Sequence, residues 1–107
     1  MRAMDIYIAL IDNKDDKFRP ALLIAWSESE AAIFKITTRY DAKSNVRRSK
    51  YYKIEDWEQA GLRRQSYVDT NMVYQLPLNH ITKRKPIGKL TAFDSVRLYD
   101  FIRKNSD

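Results

Sequence analysis

Apolar segments separated by polar turns along the opening part of the chain predict three β-strands. Residues 5–11 are rich in β-forming residues, with apolar side chains on both faces, and they end at a polar turn, residues 12–16. An apolar run at 20–26 is typical of a central strand. A second polar turn at 27–30 separates that run from a third predicted strand at 31–38.

The middle of the chain predicts further short strands around a polar loop and a short helix. Residues 39–49 are polar and predict a loop, and residues 50–54 predict a short strand. Residues 55–60 predict a short helix that Gly61 ends at the C′ position. Strand-like segments follow at 66–70, at 72–76 and before Leu90.

The end of the chain predicts an amphipathic helix. Thr91 and Asp94 form a pair like a capping box, with Asp in place of Glu, and the helix is expected to run to about Lys104. Its buried face is expected to contain Leu98, Phe101 and Ile102, with Val96 and Tyr99 nearby. Many short strands, few glycines and one closing helix predict a mainly β protein with short helices, built on a small, strongly bent sheet or barrel.

Length, composition and charge narrow the function. The 107 residues are enough for one domain with its own core. The net charge of +6 favours a polyanionic partner: nucleic acid, an acidic membrane surface or an acidic protein. Basic clusters lie near tyrosines, an arrangement that suits single-stranded RNA but also fits a solvated surface. These residues are Arg47, Arg48, Lys50, Arg63, Arg64, Lys83, Arg84 and Lys85, with Tyr40, Tyr51, Tyr52 and Tyr67.

Several classes of protein are disfavoured by what the sequence lacks. It has no apolar run long enough for a membrane span and no signal-peptide pattern at its N-terminus. Cysteine is absent, which excludes thiolate metal sites and fits the cytoplasm. The single histidine, His80, excludes a mechanism that needs two histidines, and no residue spacing predicts a metal or another cofactor.

An Arg-Pro pair and a strand-ending hydroxyl are the strongest candidates for chemistry. Arg19 and Pro20 open the second predicted strand, and Thr37 and Thr38 end the third. If the two strands pair, Arg19 and Thr37 meet at one end of the sheet, where both can donate hydrogen bonds to a phosphate. The alternatives are a surface ion pair of Arg19 with Asp15 or Asp16, and an ordinary β-branched strand residue at position 37.

The order of these segments resembles that of the MazF/PemK toxins, the endoribonuclease components of bacterial toxin-antitoxin pairs. The resemblance covers nearly the whole chain. It rests on segments similar to the family's first two strands, its strand-ending Ile-Thr element, a helix-containing insert, and its last strand and helix. These are residues 5–11, 19–24, 35–37, 51–68 and 87–102.

The resemblance implies an SH3-like barrel with a C-terminal helix, formed by residues 1–107 as one domain. It also implies a cytoplasmic, metal-independent, sequence-selective endoribonuclease in which Arg19 and Thr37 are catalytic. The partners it implies are single-stranded RNA, a second copy of the chain in a homodimer, and an antitoxin protein with an acidic, partly disordered tail. The loops at 12–18 and 39–50 are expected to set the cleavage sequence.

One departure from the family affects the choice of general base. Several relatives carry an Arg and then an acid where this chain has Asp69 and Asn71. Asn71 cannot accept a proton, so Asp69 is the candidate base, with His80 as a further candidate. RNA-binding roles are expected for Thr38, Arg47, Arg48, Lys50 and Asn71.

Two non-catalytic functions remain open on the same fold. One is a gyrase poison like the related CcdB toxins, which act through an aromatic-apolar C-terminal tail; residues 102–107 of this chain, IRKNSD, form no such tail. The other is an RNA-binding module without catalytic activity.

Overall fold

The described part of the chain forms six strands, two α-helices and a 3₁₀ turn. The structure, a computed structural model, describes residues 1–12, 17–40, 45–81 and 85–105. In chain order the elements are β1 (Asp5–Asp12), β2 (Lys17–Trp26), β3 (Glu30–Thr37), α1 (Asn45–Arg48), β4 (Tyr51–Lys53), β5 (Tyr67–Pro77), a 3₁₀ turn (Leu78–His80), β6 (Gly88–Lys89) and α2 (Ala92–Asn105).

The strands form one curled antiparallel sheet in the order β4-β5-β3-β2-β1-β6. β2 and β3 lie at its centre, in agreement with their long apolar segments. Two short strands form the edges, which limits the length of unpaired backbone that the sheet exposes. No helix in the described ranges is both long and apolar enough to cross a membrane.

Each face of the sheet carries its own apolar core, because successive strand residues point to opposite faces. One core contains Leu98 of α2, together with side chains from the strands and from the segments beside them: Ile6, Leu22, Phe34, Ile36, Tyr52, Ile54, Ala60, Val68 and Leu90. We call this side of the sheet the helix side. The other core consists of Tyr7, Ala9, Ala21, Leu23, Ala31, Ile33, Leu76 and Ile81, and we call its side the open side.

A buried carboxylate fastens α2 to the sheet. Asp94 is fully buried and accepts hydrogen bonds from the Tyr52 hydroxyl at 2.5 Å and from the backbone N–H groups of Glu55 and Asp56 at 3.0 and 2.8 Å. Thr91 caps the helix by accepting from the Asp94 backbone N–H at 3.3 Å. Thus the Thr91 half of the predicted capping box forms, whereas the Asp94 side chain binds the sheet and the turn after β4 instead.

The two glycines of the chain lie where two backbone segments cross. Gly61 has a φ of +92°, and a Cβ atom at this position would lie 2.5 Å from the carbonyl oxygen of Ile87. A Cβ on Gly88 would lie 1.9 Å from the carbonyl oxygen of Ala60. Since no side chain fits between these backbones, the crossing holds β6 against the turn that follows β4.

Several predicted elements have different forms in the structure. Residues 55–60 form hydrogen-bonded turns rather than a helix. Their C-terminal end still has a Schellman pattern, with Leu62 N–H bonded to Trp57 O and Gly61 N–H to Glu58 O, so the prediction of Gly61 at C′ is correct. The predicted loop contains α1. The two strand-like segments around Asn71 are one strand, β5, whose register with β3 shifts between Ile33 and Lys35.

The solvent-facing side of α2 also differs from the prediction. Val96 and Tyr99 are 63% and 61% exposed, whereas Leu98 is fully buried and Phe101 and Ile102 pack partly against the core. The apolar face of α2 is therefore narrower than predicted, because helical periodicity places Val96 on the side opposite Asp94 and Leu98.

Candidate active site

A cleft of about 300 Å³ lies where β2 and β3 separate. Register pairs between the two strands stop at Ala21 and Lys35, but β2 extends back to Lys17 and β3 extends on to Thr37. Pro20, which has no N–H, lies beyond the last pair, inside β2 rather than at its predicted first position. The residues that line the cleft are Ile11, Arg19, Pro20, Lys35, Ile36, Thr37, Thr38, Arg39, Arg47, Tyr51, Ser66 and Asp69.

The sheet register aligns the candidate catalytic residues on the open side. Continuing the Ala21–Lys35 register by two residues sets Arg19 opposite Thr37. The neighbouring row runs across three strands, since Asp69 is paired with Lys35 on one side and with Tyr51 on the other. Strand residues two apart share a face, so both rows point toward the cleft.

Thr37 is held in a defined orientation at the end of β3. Its hydroxyl oxygen accepts a hydrogen bond from the backbone N–H of Arg39 at 3.0 Å. A hydroxyl has one proton and two lone pairs, so this bond leaves the proton able to donate. The same turn places Thr38 and Arg39 on the cleft wall, and both residues are exposed.

Asp69 is 8% exposed and held by donors from two segments. Its Oδ1 atom accepts from the Asn71 backbone N–H at 2.9 Å and from the Asn71 side-chain amide at 2.7 Å. Its Oδ2 atom lies 3.9 Å from the Arg47 guanidinium. The Asn71 amide also donates to the Arg47 carbonyl at 3.1 Å, which ties α1 to β5.

Tyr51 connects Asp69 and Arg47 at the wall of the cleft. The residue is 5% exposed, and burial, followed by the nearby Asp69 carboxylate, raises the pKa of its hydroxyl above the usual value. Hydrogen bonding with Arg47 acts in the opposite direction and hydrogen bonding with Asp69 in the same direction. The phenol therefore stays protonated at neutral pH and can act as a hydrogen-bond donor.

The charge of the cleft suits a phosphate. Among the described residues that line it, Arg19, Lys35, Arg39 and Arg47 are cationic, and Asp69 is acidic. Arginines can hold phosphate oxygens through paired N–H donors, and a cleft with one sign of charge concentrates anions. One carboxylate within a cationic wall provides a proton acceptor at a position where a phosphate is also attracted.

The structure brings together five of the eight predicted site residues. Arg19, Thr37, Thr38, Arg47 and Asp69 line the cleft. The other three lie outside its lining. Arg48 lies over the Tyr40 ring, the Lys50 amine donates to the Asn105 carbonyl at 2.7 Å, and Asn71 orients Asp69.

Cleft residues that can donate hydrogen bonds also lie outside the predicted site residues, although Tyr51 was named among the tyrosines near basic clusters. Lys35, Arg39 and Tyr51 line the cleft, and Lys35 and Tyr51 flank Asp69 in the same row. The sequence contains a usable signal for Lys35, because it lies two positions before Thr37 and strand alternation puts both on one face. Tyr51 has no such signal, since β4 precedes β5 and their pairing is visible only in the fold.

Other sequence candidates lie elsewhere or outside the described residues. His80 follows β5 in the 3₁₀ turn, and its Nδ1 atom lies 3.1 Å from the Leu10 carbonyl oxygen rather than on the cleft wall. Asp15 and Asp16, the alternative partners of Arg19, lie outside the described residues, as do Lys83 and Arg84. Within the described ranges, no three His, Cys, Asp or Glu side chains come together as a group that could hold a metal ion.

Comparison with solved structures identifies a protein of the same fold. The chain is similar to the toxin MazF-mt6 of Mycobacterium tuberculosis, with a TM-score of 0.71 and 21% sequence identity over 94% of this chain and 93% of that one. No protein-family model matches the sequence, and no curated protein matches it. The predicted fold class is thereby confirmed: a mainly β, MazF-like curled sheet with a C-terminal helix.

Proposed function

We propose that the protein is a MazF/PemK-type toxin that cleaves single-stranded RNA without a metal ion and is neutralised by a cognate antitoxin. The observation that supports this most is the convergence of Arg19, Thr37 and Asp69 on one cationic cleft. A phosphate binder, a neutral donor and a proton acceptor are the groups that cleavage through a 2′-hydroxyl requires. The MazF-like fold supports the proposal independently.

In the proposed reaction the substrate supplies its own nucleophile. The 2′-hydroxyl attacks the adjacent phosphorus, the bond from phosphorus to the 5′-oxygen breaks, and the products are a 2′,3′-cyclic phosphate and a 5′-hydroxyl. Negative charge grows on the non-bridging oxygens in the transition state. Arg19 stabilises that charge. The Thr37 hydroxyl, whose oxygen accepts from the Arg39 N–H, donates a hydrogen bond to one of the same phosphate oxygens.

Asp69 is the proposed acceptor of the 2′-hydroxyl proton. Both lone pairs of Oδ1 are used by Asn71, so Oδ2 is the oxygen available to take the proton. Asn71 has a positioning role in this scheme, because it fixes the carboxylate and the Arg47 backbone together. Tyr51, protonated beside Asp69, is the proposed source of the proton that the 5′-oxygen receives, and Asp69 then returns a proton to the phenol.

The cations and hydroxyls around the cleft are the proposed path for the RNA backbone. Thr38, Arg39 and Arg47 border the phosphate position, and Arg48 lies next to them on α1. Lys50 joins this path only if its amine leaves the Asn105 carbonyl, so its contribution to binding is expected to be smaller.

Two protein partners are part of the proposal. The cationic cleft suits the acidic, partly disordered tail of an antitoxin, which would compete with RNA for the same surface. A homodimer would extend the shallow surface of one copy into a groove long enough for several nucleotides. Light scattering should give about twice the 12.7 kDa mass of the chain, and a mass equal to one chain would count against the dimer.

Cleavage of a long RNA in EDTA tests the catalytic function. Wild-type protein should cut, whereas Arg19→Ala, with an unchanged melting temperature, should be about 100- to 1000-fold slower, equivalent to about 2.7–4 kcal/mol. Thr37→Val, which keeps the side-chain shape, should lose less. Intact RNA with wild-type protein would refute the nuclease, and tight RNA binding in that case would favour the non-catalytic alternative.

A further inference from the structure

Three tyrosines form a connected group beside the cleft. The rings of Tyr40 and Tyr67 are stacked, with centroids 4.5 Å apart and planes at 26°. Tyr51, a wall of the cleft, meets the edge of Tyr40 with centroids 6.2 Å apart and planes at 63°. Because Tyr67 is also the register partner of Thr37, the group begins at the proposed phosphate position and extends away from it. We call Tyr40 and Tyr67 the tyrosine stack.

The tyrosine stack is separate from both apolar cores. Neither Tyr40 nor Tyr67 packs in the core of the helix side or in that of the open side, and both residues are half-buried. The stack instead presents aromatic surface at the rim, next to cationic residues.

Besides Tyr67, the Tyr40 ring carries a group that a nucleobase can replace. Tyr67 stacks on the ring, and the Arg48 guanidinium also lies over it, 5.3 Å from its centre. Arg48 is held by a hydrogen bond to the Asn45 side chain in α1, an exposed contact. A planar guanidinium on an aromatic ring occupies the space that a stacked base would take, and guanidinium groups themselves stack on bases.

We propose that Tyr40, supported by Tyr67 and covered by Arg48, is the subsite for one unpaired nucleobase of the bound strand. This inference rests on the proposed RNA substrate, and it adds a position for a base adjacent to the phosphate in the cleft. The base stacks on Tyr40 in place of the guanidinium, and Arg48 moves to the outer side of the base or to a phosphate. Every base has a π-face, so this subsite contributes affinity and register rather than base identity.

Binding of an uncleavable strand tests the subsite separately from catalysis. The probe is a short, mixed-sequence 2′-fluoro oligoribonucleotide, which lacks the attacking hydroxyl, and the readout is the Kd from fluorescence anisotropy. Tyr40→Leu should weaken binding about tenfold, within the range measured for removal of one base–aromatic stack. Tyr40→Trp keeps a π-face and should bind at least as tightly as the wild type.

Tyr99 provides a matched control. It is an exposed tyrosine with an arginine over its ring, since the Arg103 guanidinium lies 5.7 Å from its centre, but it lies on α2 and outside the cleft. Tyr99→Leu should therefore leave the Kd unchanged. A loss in Tyr99→Leu as large as that in Tyr40→Leu would show that the probe senses any exposed tyrosine, and would overturn the assignment.

A second probe keeps the proposal testable if Tyr40→Leu folds poorly. The same backbone without bases should bind the wild-type protein more weakly than the complete oligonucleotide, and in Tyr40→Leu the difference should shrink. Equal binding of the two probes by wild-type protein would overturn the subsite, as would an absence of binding to either. Wild-type protein that cuts no RNA but shows Tyr40-dependent binding would refute the nuclease and leave the subsite in place.

Discussion

Asp94 and Asp69 are two shielded carboxylates on opposite sides of the same sheet, and they differ in what surrounds them. Each lies beside a tyrosine of β4: Tyr52 binds Asp94 on the helix side, and its neighbour Tyr51 faces Asp69 on the open side. Asp94 is fully buried, with backbone donors from the turn after β4. Asp69 lies beside a cleft with four cationic residues.

The difference shows that a buried carboxylate can serve either stability or catalysis, depending on its hydrogen-bond partners. The donors around Asp94 come from the fold itself, and together they join α2 to the sheet, so this carboxylate contributes to stability. Asp69 has a comparable set of donors on one oxygen only, and its other oxygen faces solvent-accessible cations. Both carboxylates have low solvent exposure, so exposure does not separate the structural acid from the proposed catalytic one. What separates them is the partner of the second carboxylate oxygen, which is a backbone N–H for Asp94 and the Arg47 guanidinium for Asp69.

The sharpest test of this comparison replaces each acid by its amide. Asp69→Asn removes the proposed base and should slow single-turnover RNA cleavage by about 100-fold or more, with little change in the free energy of unfolding. Asp94→Asn places an NH₂ group against a backbone N–H and should lower that free energy by about 2–3 kcal/mol, with cleavage per folded molecule retained. Urea unfolding and single-turnover cleavage are measured on both variants.

Two outcomes would contradict the comparison. An unchanged cleavage rate in Asp69→Asn would eliminate Asp69 as the base and leave the proton to the phosphate or to water. A normal unfolding free energy in Asp94→Asn would show that α2 is held mainly by its apolar contacts.

The adjacent tyrosines of β4 allow the same pair of measurements, with smaller expected effects on stability. Tyr51→Phe removes the proposed proton donor beside Asp69 and should slow cleavage about 100-fold while stability stays close to wild type. Tyr52→Phe removes a hydrogen bond to a buried carboxylate and should lower the free energy of unfolding by about 1.5 kcal/mol, with the cleavage rate unchanged. If both variants changed stability alone, Tyr51 would have no part in proton transfer.

The smallest expected effect is a loss of unfolding free energy at alkaline pH, caused by ionisation of Tyr52 on the helix side. Burial, and then the hydrogen bond to Asp94, raise the pKa of the Tyr52 hydroxyl above its usual value near 10. The resulting stabilisation is fully present below pH 10 and is lost as the pH rises toward the folded-state pKa, because the unfolded chain gives up its proton first. The loss from this residue should reach about 1 kcal/mol at pH 11.

Tyr52→Phe is the control for the alkaline measurement. Its decline in unfolding free energy above pH 10 should be shallower than that of the wild type, since Tyr51 and Tyr7 still contribute their own raised pKa values. Identical slopes in the two proteins would mean that Tyr52 ionises no later in the folded state than in the unfolded chain.

The sequence predicts the regular part of the fold well because the strands and α2 have strong local patterns. β1, β2 and β3 match their predicted positions within a few residues, and Gly61 ends its turn as expected. Residues 55–60 were predicted as a helix but form turns, because non-local contacts fix their conformation. Asp94 accepts hydrogen bonds from the N–H groups of Glu55 and Asp56, and β6 packs against the end of the turn.

The site was predictable only in part, for a similar reason. Arg19 and Thr37 are strand-end residues, so a guess at strand pairing is enough to bring them together. The place of Tyr51 depends on β4 joining the far edge of β5, which no local pattern of residue types predicts. The role of Asn71 combines a local contact with Asp69, two residues earlier, and a non-local contact with the Arg47 carbonyl, and only the fold brings the second about.

The backbone crossing at Gly61 and Gly88 has a consequence for how this sequence can diverge. Both glycines of the chain are used there, and any side chain at either position would push the crossing segments apart. Thr38 and Arg39, which are exposed and follow β3, are not part of this crossing. Descendants of this sequence are therefore expected to inherit the crossing unaltered, while exposed residues at the rim of the cleft that take no part in the proposed reaction are freer to change.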